Sequence, residues 1–272
     1  HLSLRRQRQM CIRDSFGTMQ PSLGFIMGSQ SDIRYEAAKN GWLTTYPEFN
    51  QSFTQVRNKL LDITAQVEPF NDLKIDLNAN RTYSQNFSEQ YDVDTFGNYN
   101  ARSPYDFGNF SISTVLIKTA FSRSDETGSD AFNDFRENRL TIARRLATER
   151  GLDPNNTTPD GYPVGFGRNS QAVLLPAFLA AYTGTSASSV STGIFRDVPI
   201  PNWNIKYTGL MRYGFFKENF KRFSLQHGYR ASYTVSSFRS NFDYDADPNV
   251  INPTTGNYPV KTIVANVNLV EQ

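Results

Sequence analysis

The sequence predicts an all-β protein with a helical insertion, its strands of the kind that line a transmembrane β-barrel. Three observations carry that expectation. The chain is polar for its length: mean hydropathy is −0.52 and hydrophobic residues make up 38% of 272 positions, yet aromatics reach 14%. Its apolar residues alternate with polar ones over long stretches, as in a strand whose two faces meet different surroundings. No apolar run approaches the roughly 18 residues of a membrane-crossing helix, whereas strands that are half lipid-facing and half water-facing hide in such a composition.

Taken in order, residues 1–15 (HLSLRRQRQMCIRDS) stand apart. They hold four Arg, the single Cys and one of the two His. The stretch lacks the apolar core of a secretory signal and resembles translated sequencing-adapter read-through. It is therefore expected to be a non-native arm, a disordered basic arm being the alternative. Without it, 24 basic and 25 acidic side chains remain, so the nominal charge of +2 becomes −1.

Residues 16–121 are expected to hold barrel strands and a hairpin. Leu61, Ile63, Ala65 and Val67 alternate with polar residues, as do Leu73, Ile75, Leu77 and Ala79. Glu68-Pro69-Phe70-Asn71-Asp72 between them carries turn chemistry. Phe107 to Phe121 reads as a further strand.

Residues 122–201 break the alternation and read as a helix-containing insertion. Phe132, Phe135, Ile142, Ala143 and Leu146 recur at helical spacing within 131–150, with Ser129 or Asp130 to cap and Gly151 to stop the helix. Pro176 to Tyr182 reads as a short helix with Pro near its start and Gly184 after it. A connection this long needs packing of its own.

Residues 202–272 return to barrel strands: Trp203–Met211, Phe223–Ser237 and Pro259–Val270, bringing the expected total to about six. The fifteen alternating residues 223–237 span about 50 Å at ~3.3 Å per residue, beyond the roughly 9–11 that a tilted transmembrane strand needs.

Composition excludes several chemistries. One Cys rules out a disulfide scaffold and a Cys-based zinc site, and two His leave little for a His-rich metal site. Near-neutral charge argues against nucleic acid as a partner. Asp243, Asp245 and Asp247 form D-x-D-x-D, but Pro248 and Thr254 stand where a calcium loop needs Gly and Glu, so a solvated acidic turn is expected. Gly165-Phe166-Gly167 lacks a preceding strand and reads as a bend. His227 has no acid or nucleophile singled out beside it and reads as a structural or interfacial residue. Asp92 and Asp94 read as solvated loop carboxylates, and the Asn86 and Asn109 sequons as strand residues. No catalytic, cofactor-binding or metal residue is expected. Tyr46, Phe49, Phe53, Phe70, Tyr83, Phe87, Tyr105, Phe107 and Phe223 fall near strand ends, as in the aromatic girdles of a barrel or in the core of a soluble β-sandwich.

Alternation assigns sides. Leu61, Ile63, Val67, Leu73, Ile75, Leu77, Leu225, Tyr229, Tyr233 and Val235 are expected to face lipid. Lys74, Asp76, Asn78, Asn80, Gln226, Arg230, Ser232 and Thr234 are expected to face the lumen. If the Glu68–Asp72 turn faces the periplasm, strand parity puts the 122–201 insertion on that side too.

Pro21-Ser-Leu-Gly-Phe-Ile-Met-Gly-Ser-Gln30, Gly41-Trp-Leu43, Glu68-Pro-Phe-Asn-Asp-Leu73, residues 171–184 (QAVLLPAFLAAYTG), residues 199–210 (PIPNWNIKYTGL) and His227-Gly-Tyr-Arg230 together resemble one family over about residues 16–272. It is the SprA/Sov family, outer-membrane translocons of the type IX secretion system of Bacteroidota, linked to gliding motility. The resemblance implies a single-chain barrel of exceptional strand number. Such a barrel conducts folded cargo proteins outward through a pore gated by partner proteins, with no catalytic residues. About six strands cannot close a barrel, since the smallest bacterial ones use 8. The chain is therefore expected to be a fragment of a very large antiparallel transmembrane β-barrel, in contact with outer-membrane lipid, cargo and gating proteins. A TonB-dependent or porin-like transporter and a soluble β-sandwich adhesin or glycan-binding module stand as alternatives.

Overall fold

Alternation draws most of the chain into antiparallel strands, and helices occupy the stretches where it lapses. In the computed structural model, which describes residues 32, 34–45, 51–116, 124–125 and 128–272, the elements run as follows. Helix α1 (Arg34–Lys39) precedes strands β1 (Gln51–Phe70), β2 (Leu73–Val93) and β3 (Tyr99–Ser113). A two-residue pair, β4 (Ser124–Asp125) and β5 (Gly128–Ser129), leads into α2 (Asp130–Glu149) and α3 (Gln171–Thr183). Then come β6 (Asn202–Tyr207), α4 (Gly214–Asn219), β7 (Leu225–Tyr229), β8 (Ala231–Ser240), α5 (Phe242–Ala246) and β9 (Thr262–Glu271). The 1–15 arm, the Pro21–Gln30 motif, Tyr46, Phe49 and the end of the expected 107–121 strand lie outside the described residues.

The main sheet has seven strands in the order β7-β6-β2-β3-β8-β9, with β1 on β2. Side-chain pairs Gln66–Asp76 and Asn58–Ser84 show β1 flanking β2 along its length, so β6 and β3 share the opposite edge of β2. β6 takes Leu73–Asn78, and β3 ends near Asn80, whose N–H donates to Ser113 Oγ at 3.1 Å. β3 and β6 therefore occupy one lane, and residues 114–201 are an excursion from the middle of that lane. β7 and β8 likewise share the next lane, and β9 closes the meander by pairing β8 from Ala231↔Glu271 to Ser240↔Thr262.

Several sequence expectations change accordingly. The hairpin turn is only Asn71–Asp72, because Glu68, Pro69 and Phe70 already belong to β1. The expected 223–237 strand is split at Arg230, whose N–H and carbonyl both pair with Gln272. Residues 209–211 form a 3-10 turn rather than the end of a strand. Short helices α1, α4 and α5 sit inside segments read as strands and connections alone. Parity cannot place the insertion at a membrane side, because it leaves and re-enters within one lane instead of joining two strand ends.

The chain resolves into two compact units, residues 1–59 with 83–108 and residues 60–82 with 109–272. In the first, Ala37 and Ala38 of α1 pack with Leu43, Tyr91, Val93 and Tyr99, flanked by Trp42 and Phe53. In the second, α2 and α3 form a helical pair joined by Phe135–Phe178 at 6.3 Å. α2 buries Ala131, Ile142, Ala143 and Ala147, whereas Phe132, expected on that stripe, is 51% exposed. Gly151 and Gly184 follow the two helices with φ of +77° and +73°, the left-handed conformation that ends a helix cheaply only at Gly. Pro176 lies at the sixth position of α3, not its start, because the helix begins at Gln171. The Gln171 amide holds β9 by donating to Thr262 O and accepting from Val264 N–H.

A second aromatic core lies where residues 194–196 cross the sheet. Phe110 meets Phe195 at 5.3 Å and Tyr233 at 6.0 Å, and Phe195 meets Phe238 at 4.9 Å. Tyr233 Oη donates to Ile194 O, and Arg81 Nε donates to Arg196 O. Phe110 is 1% exposed, so replacing it leaves a cavity among rings that cannot collapse. Phe110→Ala is expected to cost about 3–5 kcal/mol, read as a lowered urea midpoint with unchanged slope. An unchanged midpoint contradicts this account of the core.

Candidate two-faced sheet site

Residues opposite one another in an antiparallel pair share a face, so the register sorts the sheet without further assumption. Leu73, Ile75 and Leu77 of β2 oppose Tyr207, Ile205 and Trp203 of β6. Those oppose Leu225, His227 and Tyr229 of β7 in turn. The result is a continuous apolar and aromatic face. Trp203 and Tyr229 stack at 4.5 Å, Trp203 Nε1 donates to His227 Nδ1 at 3.4 Å, and Phe70 meets Tyr207 edge-on at 6.4 Å. His227 is thus the exposed member of an aromatic row with Trp203 and Tyr229.

This face is uncovered over β1 and β7. Leu61, Ile63, Val67 and Leu225 are 42%, 49%, 43% and 56% exposed, while Leu73, Ile75 and Leu77 are half-buried between neighbouring strands. Burying one such side chain contributes about 1.5–3 kcal/mol, and a soluble monomer seldom leaves a contiguous patch of this kind larger than a few hundred Å².

The opposite face is polar across the same strands. Gln66 donates to Asp76 at 2.9 Å, Lys74 pairs with Glu68 at 2.9 Å, and Gln226 donates to Asn204 at 3.2 Å. Asn202 accepts from the Ala231 N–H at 2.9 Å. Gln66, Asp76, Asn202, Asn204 and Gln226 border an open concavity of about 1270 Å³ that Ile63, Leu77, Trp203 and Tyr229 line as well. Ser232 and Thr234 continue this side on β8, where Thr234 and Ser111 share a hydroxyl hydrogen bond of 3.0 Å.

Two expected lipid-facing residues are placed differently. Tyr233 and Val235 share the parity of Leu225 and Tyr229, but they are 2% and 0% exposed. Tyr233 packs on Phe110 and donates to Ile194 O, and both side chains serve the core. Tyr229 is half-buried, and its hydroxyl accepts from the Leu116 N–H at 2.7 Å. This packing was invisible to alternation because it comes from segments far away in sequence.

The first unit holds a polar cluster that sequence reasoning missed. Arg34 of α1 bridges Asp32 and Glu89, and its guanidinium lies 4.6 Å from the Phe53 ring and 5.3 Å from Phe87. Hydrogen bonding to Asp32 and to Glu89 holds Arg34 still further above the ordinary guanidinium range, against the cost of partial burial. Glu89 is 3% exposed and accepts from Tyr99 Oη at 2.5 Å. A lone Arg in a short helix gave no periodic signal. Asp92, read as solvated, is also buried, with Arg102 at 2.6 Å. Asp94 behaves as expected of a turn carboxylate. Hydrogen bonds from the Asn98 side chain and backbone hold it below the usual range.

Asp243, Asp245 and Asp247 are exposed around α5. Among the described residues no group of three or more His, Cys, Asp or Glu is placed to hold a metal ion. Gly165-Phe166-Gly167 forms a bend whose Gly167 N–H donates to Asn257 Oδ1 at 2.7 Å. Among the described residues no helix is long and apolar enough to cross a membrane, which bears on helices alone. No protein-family model matches the chain, and no curated protein matches it.

Arg34 is the partner that keeps Glu89 compensated, and removing one member of a buried pair is costly. Arg34→Met is expected to lose about 3–5 kcal/mol at neutral pH, with earlier exchange of the α1 and Tyr99 amides in hydrogen-exchange measurements. Unchanged exchange there contradicts a structural role for the pair.

Proposed function

We propose that this chain is a wall segment of a large outer-membrane β-barrel that conducts proteins, the translocon of type IX secretion and gliding motility. The observation that carries the reading is the pairing of an uncovered apolar face with a polar one on the same antiparallel meander. In a bilayer the apolar rows of Leu61–Val67, Leu73–Leu77 and Leu225–Tyr229 meet acyl chains. The backbone groups are satisfied between strands, as lipid demands. β1 runs about 30 Å from Leu61 to Phe70 at ~3.3 Å per residue, the order of a hydrocarbon core. A soluble adhesin sandwich would bury that face against a second sheet.

The polar face supplies the conduit. Asp76, Asn78, Asn80, Asn204 and Gln226 present amides and carboxylates, many already paired across strands. Passing protein therefore meets a hydrated wall without an apolar surface to hold it. The wall does no chemistry, and the energy for export comes from partners. Further wall strands complete the cylinder, since an open sheet edge in lipid leaves unsatisfied N–H and C=O groups. The stretches that resemble the SprA/Sov family favour this barrel over a porin-like one.

Photocrosslinking residues tell the two faces apart in secreting cells that carry the complete translocon. At Asn78 or Asn204 they are expected to capture secreted cargo in transit; at Ile75 or Ile205 they are expected to capture lipid. Cargo export that proceeds with no capture at Asn78 and Asn204 contradicts the proposal.

A further inference from the structure

The connection between β6 and β7, residues 208–224, has a character that a simple strand link does not require. Tyr213, Phe215 and Phe220 are 62%, 68% and 41% exposed. Beneath them Phe216 meets Phe215, Phe220 and Phe223 at 5.5, 6.1 and 5.0 Å. The rings thus form a knob with an internal packing of its own. Interleaved with them are Arg212, Lys217, Lys221 and Arg222 against the single acid Glu218.

The knob is held in place. Arg212 pairs with Asp72 at 2.6 Å, and the Thr208 N–H donates to Asp72 O at 2.9 Å. These contacts dock the connection on the β1–β2 turn. There Phe70 is 54% exposed and lies edge-on to Tyr207 of the apolar face at 6.4 Å. The neighbouring acids are compensated, Asp72 by Arg212 and Glu68 by Lys74. Lys217, Lys221 and Arg222 are exposed beside the rings, so the end of the sheet carries positive charge next to bare aromatic surface.

From this juxtaposition we infer that residues 208–224 form an anchor in the membrane interface that recognises anionic, phosphate-bearing lipid headgroups. Tyr213 sits at headgroup level, the depth that an amphipathic ring favours, Phe215 and Phe220 bury their rings at the boundary between headgroups and acyl chains, and the three exposed cations contact lipid phosphates. The inference rests on the reading of the sheet face as lipid-facing, because that face runs directly into the knob. Charge complementarity selects a bilayer surface over a protein groove: an apolar protein groove would not need three cations ringing the rings.

The test uses the full chain refolded with vesicles of phosphatidylcholine alone or of phosphatidylcholine with phosphatidylglycerol. Phe215→Trp in a Trp42→Phe, Trp203→Phe background places one indole in the knob, and brominated lipids report its depth. The indole is expected to be quenched best by bromines near the headgroup, with binding strengthened by phosphatidylglycerol and weakened by salt. Lys217→Gln, Lys221→Gln and Arg222→Gln together are expected to weaken binding to phosphatidylglycerol vesicles by about tenfold or more, leaving binding to phosphatidylcholine unchanged. Because all three are exposed, the fold is expected to survive, with circular dichroism as the control. An unquenched indole at position 215, or a triple variant with unaltered phosphatidylglycerol dependence, overturns the anchor. Lipid capture by a photocrosslinking residue at Ile205, in cells that carry the complete translocon, separates the two claims. If Ile205 captures lipid and position 215 is not quenched, the anchor alone fails. If position 215 is quenched and Ile205 captures no lipid, the anchor stands as a peripheral one and the lipid-facing sheet falls.

Discussion

Cross-strand register is the constraint on which the rest depends. Alternation within a single strand makes two faces, but only pairing in register joins the faces of neighbouring strands into surfaces. Leu77 opposite Trp203 opposite Tyr229 is one such row, and Asn78 opposite Asn202 lies next to it on the other side. A slip of one residue between β2 and β6 would set Trp203 against Asn78 and mix both surfaces. The ring stack of Trp203 on Tyr229 and the Gln226–Asn204 hydrogen bond each favour the observed register from their own side of the sheet.

The excursion at 114–201 exploits that two-faced design. It leaves the lane after β3, builds the α2–α3 pair, and returns through residues 194–196 across the apolar side of β8 and β3. Arg145 ties the helical pair to the return path by donating to Ala187 O and Val190 O. The same type of face is thus handled in two ways within one unit. Over Tyr233 and Val235 it is covered by protein, and over Leu61, Ile63, Val67 and Leu225 it is left open. Selective cover of this sort shows that the chain has the means to bury apolar surface and does so locally.

Much of this was legible in the sequence because a period of two is a strong local signal. The β1–β2 hairpin, the Phe223–Ser237 alternation and the sides of Lys74, Asp76, Gln226 and Thr234 follow from it directly. The helix at 130–149 was legible from helical spacing and its glycine stop, and the second half of the one at 171–183 from Gly184 after it. What escaped were effects carried by distant partners. Tyr233 and Val235 look the same as Leu225 and Tyr229 until their burial in the core is known. Arg34 has no local pattern, and its role exists only once α1 lies against Glu89 and Tyr99. The pairing of β3 and β6 in one lane was hidden because 88 intervening residues separate Ser113 from Asn202.

The most direct test of the two-faced sheet is spin-label accessibility along residues 73–78 of β2, in a cysteine-free form of the complete translocon in lipid vesicles. Collision with oxygen, which concentrates in lipid, is expected to peak at 73, 75 and 77. Collision with a water-soluble nickel complex is expected to peak at 74, 76 and 78, so that the two profiles alternate out of phase. Profiles that rise and fall together along the strand would contradict the account.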